Sequence, residues 1–278
     1  MATTPSTAPA LAILGCGNMG RAILQGALRA GVVRAAEVLV VDPAEAARTW
    51  AASLGAGVSE SPAAAAGAVR LLLAVKPQSF RELAAALSPR AGCTCISVMG
   101  GWRADDVGAA LGGRVHVARA MPNTPASIGL GVTALAFQPG LGAAERAWVE
   151  RLFSSVGRTV SVEESLFDAV TAVSGSGPAY LFLLAEAELR AARELGLPPE
   201  AARALVSQTL VGAAAMVAAG ERDPAALREA VTSRGGTTAA ALEVLAARGV
   251  VDAIVAAIRA AAVRGAELGA GAVRNPGA

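Results

Sequence analysis

Four apolar residues, Leu11-Ala12-Ile13-Leu14, run directly into Gly15-Cys16-Gly17-Asn18-Met19-Gly20, and a helical pattern then extends from Arg21 to Ala30. A glycine-rich turn between a strand and a helix is the setting in which G-x-G-x-x-G holds a dinucleotide. Gly15 permits the tight turn, Gly17 lets the backbone approach a pyrophosphate, and Gly20 lets helix and strand pack closely. The phosphates would meet the amides and the positive end of the helix, with Leu14, Asn18 and Met19 completing the contact surface. Asp42 lies 27 residues after Gly15, at the end of the second apolar run. A carboxylate there suits the ribose hydroxyls of NAD and repels the 2′-phosphate of NADP. Arg48, on the following helical pattern, offsets that repulsion if it faces the site. Asp42 also fits the N-cap of a helix entered through Pro43, and the two roles are compatible.

Lysine is nearly absent. Of 24 basic residues one is a lysine, Lys76, in Ala74-Val75-Lys76-Pro77 at the end of another apolar run. Val75, Lys76 and Pro77 would lie at the carboxyl edge of a sheet, where open α/β folds bind ligands. Lys76 fits a contact with cofactor ribose or phosphate, and it also fits an ordinary strand-end lysine. Asparagine is as scarce, with Asn18, Asn123 and Asn275. Asn123 sits in Met121-Pro122-Asn123-Thr124-Pro125, where two prolines restrict the backbone; it faces a nicotinamide or closes an Asx-type turn. Further on, Ser233-Arg234-Gly235-Gly236-Thr237-Thr238 precedes a helical pattern. Amides at that helix start, with the Ser233 and Thr237 hydroxyls, form a carboxylate cradle or an ordinary N-cap turn. Cys16, Cys93 and Cys95, with His116 alone beside them as a soft ligand, imply no metal site. Reduced thiols in a cytoplasmic protein are the expectation.

These residues need a scaffold that brings distant turns together. Apolar runs at Leu11–Leu14, Glu37–Val41, Val69–Val75, Thr94–Val98, Arg114–Ala118, Thr133–Phe137 and Thr159–Val162 alternate with helix-length segments. That alternation predicts an α/β Rossmann-type doubly wound parallel sheet over residues 11–163. From residue 164 to 278 strand signals vanish and an all-α helical domain is expected. Its helices fall at Ser165–Val173, Pro178–Leu195, Pro199–Ala219, Ala225–Thr232, Thr237–Ala246 and Val250–Leu268. Ser174–Pro178 reads as a glycine-hydroxyl turn with proline at a helix start. These helices are poor in large side chains, so their core is expected to be completed by a second subunit. Residues 1–10 read as a flexible tail without signal-peptide features. A net charge of +2 argues for neither a nucleic-acid nor a membrane surface. No uninterrupted apolar run reaches about 18 residues, so no membrane span is expected.

Two more segments carry a resemblance: Asp168-Ala169-Val170-Thr171-Ala172-Val173-Ser174-Gly175-Ser176-Gly177-Pro178-Ala179-Tyr180, and Val231 through Thr238. In order and spacing the chain resembles the pyrroline-5-carboxylate reductase family, from Leu11 to about Leu268. The resemblance implies a helical dimerisation domain, a homodimer, and dimers that often assemble further into homodecamers. It implies hydride transfer from NADPH or NADH to C5 of 1-pyrroline-5-carboxylate, giving L-proline in the last step of proline biosynthesis. It places Ser233, Gly236, Thr237 and Thr238 at the substrate, with Thr238 hydrogen-bonding the ring nitrogen as the catalytic group, and Glu164 close by. Two positions depart from the family pattern. Arg234 stands where proline is usual, and Asp42 stands where many NADPH-preferring members carry a small hydroxyl residue.

Overall fold

The computed structural model describes residues 8–274. Of the tail expected over residues 1–10, residues 1–7 lie outside the described part. Pro9 and Ala10 are already pinned: the Pro9 carbonyl accepts from the Val69 amide, and the Ala10 amide donates to the Glu37 carbonyl.

Eight strands form one sheet: β1 (Leu11–Leu14), β2 (Val38–Val41), β3 (Gly57–Ser59), β4 (Arg70–Leu73), β5 (Cys93–Ser97), β6 (Val115–Met121), β7 (Gly131–Phe137) and β8 (Gly157–Ser161). Their order is β3-β2-β1-β4-β5-β6-β7-β8. Every residue of β1 and β2 is buried, which explains why their sequences read as unbroken apolar runs: helices cover both faces. Helices α1 (Asn18–Arg29), α2 (Glu45–Ser53) and α5 (Ala143–Ser154) cover one face through Ile23, Leu24, Ala47, Leu152 and Phe153. Helices α3 (Phe80–Ala86) and α4 (Ala104–Ala110) cover the other, where Phe80 meets Trp102 edge-on at 4.7 Å.

β1 to β6 are parallel, but β7 runs antiparallel to β6, and β8 is parallel to β7. The doubly wound parallel sheet expected is present, and the antiparallel β6–β7 pair has a geometric reason. Residues 122–130 between β6 and β7 hold only the 3-10 turn Thr124–Ile128, too little to cross the sheet and return parallel. β3 was not expected at all, because three residues carry no readable period.

Charge clasps the sheet to α5. Glu145 accepts two hydrogen bonds from Arg70, at 2.8 and 2.6 Å, and one from the Thr94 hydroxyl at 3.0 Å. The Arg70 guanidinium also lies over the Trp148 ring at 4.2 Å.

The chain divides into two compact units, residues 1–176 with 261–278, and residues 177–260. The spatial division thus falls later than the expected change at residue 164. α6 (Phe167–Val170) and the end of α11 (Val250–Arg274) go with the sheet. Here Gly269 approaches Gly101 so closely that a methyl group on Gly269 would lie 2.9 Å from the Gly101 carbonyl oxygen. A π turn, Thr171–Gly175, runs on from α6 into the expected turn at Ser174–Pro178, and the next helix begins at Gly177 with Pro178 in its first turn, as expected.

The second unit contains α7 (Gly177–Glu194), α8 (Pro199–Ala219), α9 (Pro224–Ala230), α10 (Thr237–Ala247) and the first part of α11. α8 ends at Ala219, as expected; Gly220 takes φ +70° after it, and Asp223 caps α9 ahead of Pro224. Among its described residues only Ala192 and Ala202 are buried, while Phe182 and Leu183 are 61% and 67% exposed. By length and composition α8 could cross a membrane, which counting uninterrupted apolar runs did not register. Ser207, Gln208 and Thr209 break the run without adding charge.

Arg70 holds the Glu145 carboxyl below its ordinary value of 4.5, with the Thr94 hydroxyl helping. A depressed carboxyl stabilises the fold above its unfolded value, and that contribution is lost as pH falls through the folded one. Glu145→Gln should therefore cost about 1–2 kcal/mol at neutral pH. The difference in Tm from the parent should shrink as pH drops from 6 toward 3. A difference constant across that range would show that charge does not hold this clasp.

Candidate active site

The strand order turns at β1 and β4, where the carboxyl ends of neighbouring strands feed connections to opposite sides and leave a crevice. The glycine-rich loop lies there. Gly15 takes φ +94°, a conformation costly for any residue with a side chain, and a methyl group on it would lie 2.6 Å from the Ala74 carbonyl oxygen. A methyl on Gly20 would collide with the Gly15 carbonyl oxygen. Gly17 differs, because a methyl there meets nothing within 4 Å. Its space opens away from the protein, above the start of α1.

That helix start is electrically bare. Gly17 is the N-cap of α1, with no side-chain cap and no acidic residue in the first turn. In α2, α3, α4, α5, α6, α8 and α11 the first turn carries a carboxylate, and α9 has the Asp223 cap. α7 follows directly on the π turn. One other described helix is bare, α10, whose N-cap is Gly236. Unanswered amides and an uncompensated dipole favour an anion at each. An open Gly17 above a bare helix start fits the pyrophosphate of a dinucleotide.

Asp42 closes one side of the loop. Its Oδ2 accepts from the Cys16 amide at 2.7 Å and its Oδ1 from the Ala44 amide at 2.8 Å. The helix after Pro43 begins at Glu45 with Ala44 as N-cap, so Asp42 makes an Asx-type bond just before it. Arg48 does reach the end of β2, donating to the carbonyls of Asp42 and Pro43 at 2.8 and 2.7 Å. On the other side, Ala74 and Val75 back Gly15, and exposed Lys76 leads into the 3-10 turn Pro77–Ser79. The Trp102 indole donates to the Pro77 carbonyl at 3.0 Å, tying this rim to the loop after β5.

Distant motifs meet at the same edge. Asn18, Met19 and Gln25 of α1 share a cavity of about 270 Å³ with Thr124 and Ser127, from the turn after Asn123. Asn123 itself, expected at the nicotinamide or in a turn, has both ends of its amide committed to protein. Its Nδ2 donates to the Ser174 carbonyl at 3.2 Å, and its Oδ1 accepts from the Val132 amide at 3.0 Å. Pro178 supplies the reason, since it has no N–H to offer the carbonyl four residues before it. Asn123 satisfies that orphan and fixes the turn instead.

Glu164, expected beside the substrate, also has a structural partner. Its Oε1 accepts from the Ala104 amide at 2.6 Å and from Arg119 at 3.2 Å. Arg119 is 3% exposed and donates to the Met99 carbonyl at 3.0 Å, and its guanidinium lies 5.0 Å from the Phe167 ring. Burial pulls its pKa below the ordinary value, with Glu164 opposing that shift. Sequence reasoning missed Arg119, although a lone arginine inside the apolar Val115–Met121 run was a usable signal. The network anchors the loop that follows β5.

In the second unit, taken by itself, Gly235 turns with φ +71° and the Gly236 amide donates to the Ser233 carbonyl at 3.0 Å. The Ser233 hydroxyl packs over Gly236, and Thr237 and Thr238 open α10. The three thiols are unsuited to nucleophilic work. All are buried, and burial raises the Cys16 value, pushes Cys93 up to about 11 and lifts Cys95 well above its ordinary range. Among the described residues no cluster of three His, Cys, Asp or Glu could hold a metal.

Residues 164–268 match the family described as pyrroline-5-carboxylate reductase dimerisation, and residues 10–101 match NADP oxidoreductase, coenzyme F420-dependent. A pyrroline-5-carboxylate reductase of Pseudomonas aeruginosa is 40% identical over 265 residues, covering 94% of this chain and 97% of its own. A Coxiella burnetii structure of the same name superposes with a TM-score of 0.83 at 32% identity, covering 94% of this chain and 99% of its own. The pyrroline carboxylate reductase of Plasmodium falciparum, solved with NADP bound, gives 0.86 at 26% identity, covering 94% and 98%.

The two loop glycines predict opposite failures. Gly17→Ala should fold with stability within about 0.5 kcal/mol of the parent, yet bind a nicotinamide dinucleotide at least about tenfold more weakly. Gly20→Ala should lose stability outright. Thermal melts with fluorescence titration of the cofactor read both effects, and unimpaired binding by Gly17→Ala would remove the pyrophosphate from that position.

Proposed function

This chain belongs to the pyrroline-5-carboxylate reductase family, and on that premise we propose that its two bare helix starts, at Gly17 and Gly236, hold the two anionic ends of one reaction. That reaction is the NAD(P)H-dependent reduction of 1-pyrroline-5-carboxylate to L-proline. The pairing of uncapped, acid-free starts on α1 and α10 is the observation that carries the residue assignments.

At the first start, Gly15, Gly17, Asn18, Met19 and Gly20 cradle the pyrophosphate, flanked by Leu14. Asp42 accepts from the adenosine ribose, and Val75, Lys76 and Pro77 line the opposite rim. When bound, the reduced nicotinamide supplies a hydride. Asn123 acts here as a positioning residue for the turn beside Asn18 and Met19. Arg119 with Glu164 positions the loop after β5.

At the second start, Gly236 leaves the approach open and the amides of Thr237 and Thr238 receive the substrate carboxylate, with the Ser233 hydroxyl beside them. Fixing the carboxylate fixes which face of the ring is offered to the hydride, and that orientation supplies the entropic part of the catalysis. The substrate is already an imine, so its protonated form accepts hydride without a metal ion or a strong base. The Thr238 hydroxyl orients the ring nitrogen and holds the proton there. It is the catalytic residue of this reading.

The apolar surface of α7 and α8 marks the partner. A helical unit whose only buried described residues are two alanines gains its core from a second copy, so the working form is a homodimer. Dimers assemble further into a decamer. Three buried, free thiols suit the reducing cytoplasm, where we place the enzyme.

Cofactor oxidation by the purified protein, driven by pyrroline-5-carboxylate and compared with other imines and 2-oxoacids, tests the activity. Thr238→Ala should lower kcat about 10²-fold or more, with the native mass by light scattering unchanged. Turnover near that of the parent would eliminate Thr238 as the proton-holding group. A monomeric parent at micromolar concentration would contradict the shared core.

A further inference from the structure

The reaction proposed above leaves open which nicotinamide cofactor the chain selects, and the surroundings of Asp42 answer it. We infer that this enzyme discriminates in favour of NADH, with Asp42 as the selecting residue and Arg48 diverted from the role that would admit NADPH.

Position comes first. Asp42 directly follows β2, beside β1 and the glycine loop, where a dinucleotide places its adenosine ribose. The Cys16 and Ala44 amides fix the side chain by one bond to each oxygen. The carboxylate therefore cannot swing away from an incoming group without orphaning two donors. Each oxygen keeps a second lone pair, so the pair can still accept from the two ribose hydroxyls. A 2′-phosphate has no proton to donate in its ionised form and would bring about two negative charges to within contact of a fixed third.

The neighbouring cations do not lift that penalty. Arg48 is the residue whose sequence position could have answered a 2′-phosphate. One of its terminal nitrogens is used twice, on the Asp42 and Pro43 carbonyls. The other faces Glu60 at 3.7 Å, a second carboxylate, which sits just past β3. Recruiting Arg48 to a phosphate would expose Glu60 to the same charge. Arg21 is also engaged: its Nε donates to the Cys16 carbonyl at 3.0 Å, and its guanidinium lies 4.8 Å over the Trp50 ring. A phosphate would therefore meet two carboxylates and compete for an Arg48 already divided between two carbonyls and Glu60, whereas a diol needs only the carboxylate already in place.

The test measures binding, independently of turnover. Isothermal titration of the full chain with ADP-ribose and with 2′-phospho-ADP-ribose should give a Kd at least about tenfold lower for ADP-ribose at 50 mM salt. The ratio should narrow toward unity at 500 mM salt, because a repulsion between exposed charges is screened. In Asp42→Ser, checked for folding by its thermal melt, the preference should fall at least tenfold or invert. Equal or tighter binding of the 2′-phosphorylated ligand by the parent overturns the inference, as does a ratio insensitive to salt. An unchanged ratio in folded Asp42→Ser also overturns it; if that variant does not fold, the two parent measurements decide. A protein that selects ADP-ribose yet does not reduce pyrroline-5-carboxylate would sink the proposed reaction and leave this inference standing.

Discussion

A helix start without a negative partner is the constraint on which this structure turns. In the other described α-helices, except α7 which runs on from the π turn, an aspartate or glutamate sits in the first turn or at the N-cap, answering the dipole from within. α1 and α10 decline that stabilisation. Both begin at a glycine, which puts no side chain in front of the amides and lets an external anion approach. In the proposed function the cost falls on the empty protein and is offset when the two anions bind.

Around the first start the packing is backbone on backbone. Gly15 lies against Ala74 and Val75, and Gly20 against Gly15, leaving no room for even a methyl group. Shape at the crevice is therefore set by atoms common to all residues, and side chains enter as fasteners. Asp42 holds the loop from one side, and Trp102 holds the opposite rim through Pro77. Asn123 answers a carbonyl that Pro178 leaves open, and Arg119 joins the loop after β5 to Glu164. Buried polar links of this kind are costly when broken, because each member is already cut off from water.

How much of this is legible in the sequence depends on the range of each requirement. The glycine loop is readable because its demands are local: a strand, a turn and a helix within twenty residues. The bounds of α8, Pro199–Ala219, are readable for the same reason. The reversal of β7 was hidden, because direction depends on a connection whose length matters more than its composition. The partners of Asn123 and Glu164 were hidden too, since each bonds residues some 45 to 60 positions away. The sequence offers Asn123 a nicotinamide or a turn and sets Glu164 near the substrate, and in the structure both side chains bond protein groups. The π turn at Thr171–Gly175 carries no composition signal of its own. Arg119 was visible and passed over. A charge within an apolar strand has to be paired, and looking for its carboxylate would have led to Glu164.

The helical unit states the remaining dependence. Its exposed Phe182, Leu183 and Leu184 belong to a surface that water does not favour. A crystal structure of the assembled protein with NADH and L-proline tests the whole account at once. It should show pyrophosphate oxygens on the amides at the start of α1 and the proline carboxylate on those of Thr237 and Thr238. Finding either anion bound away from its helix start would contradict it.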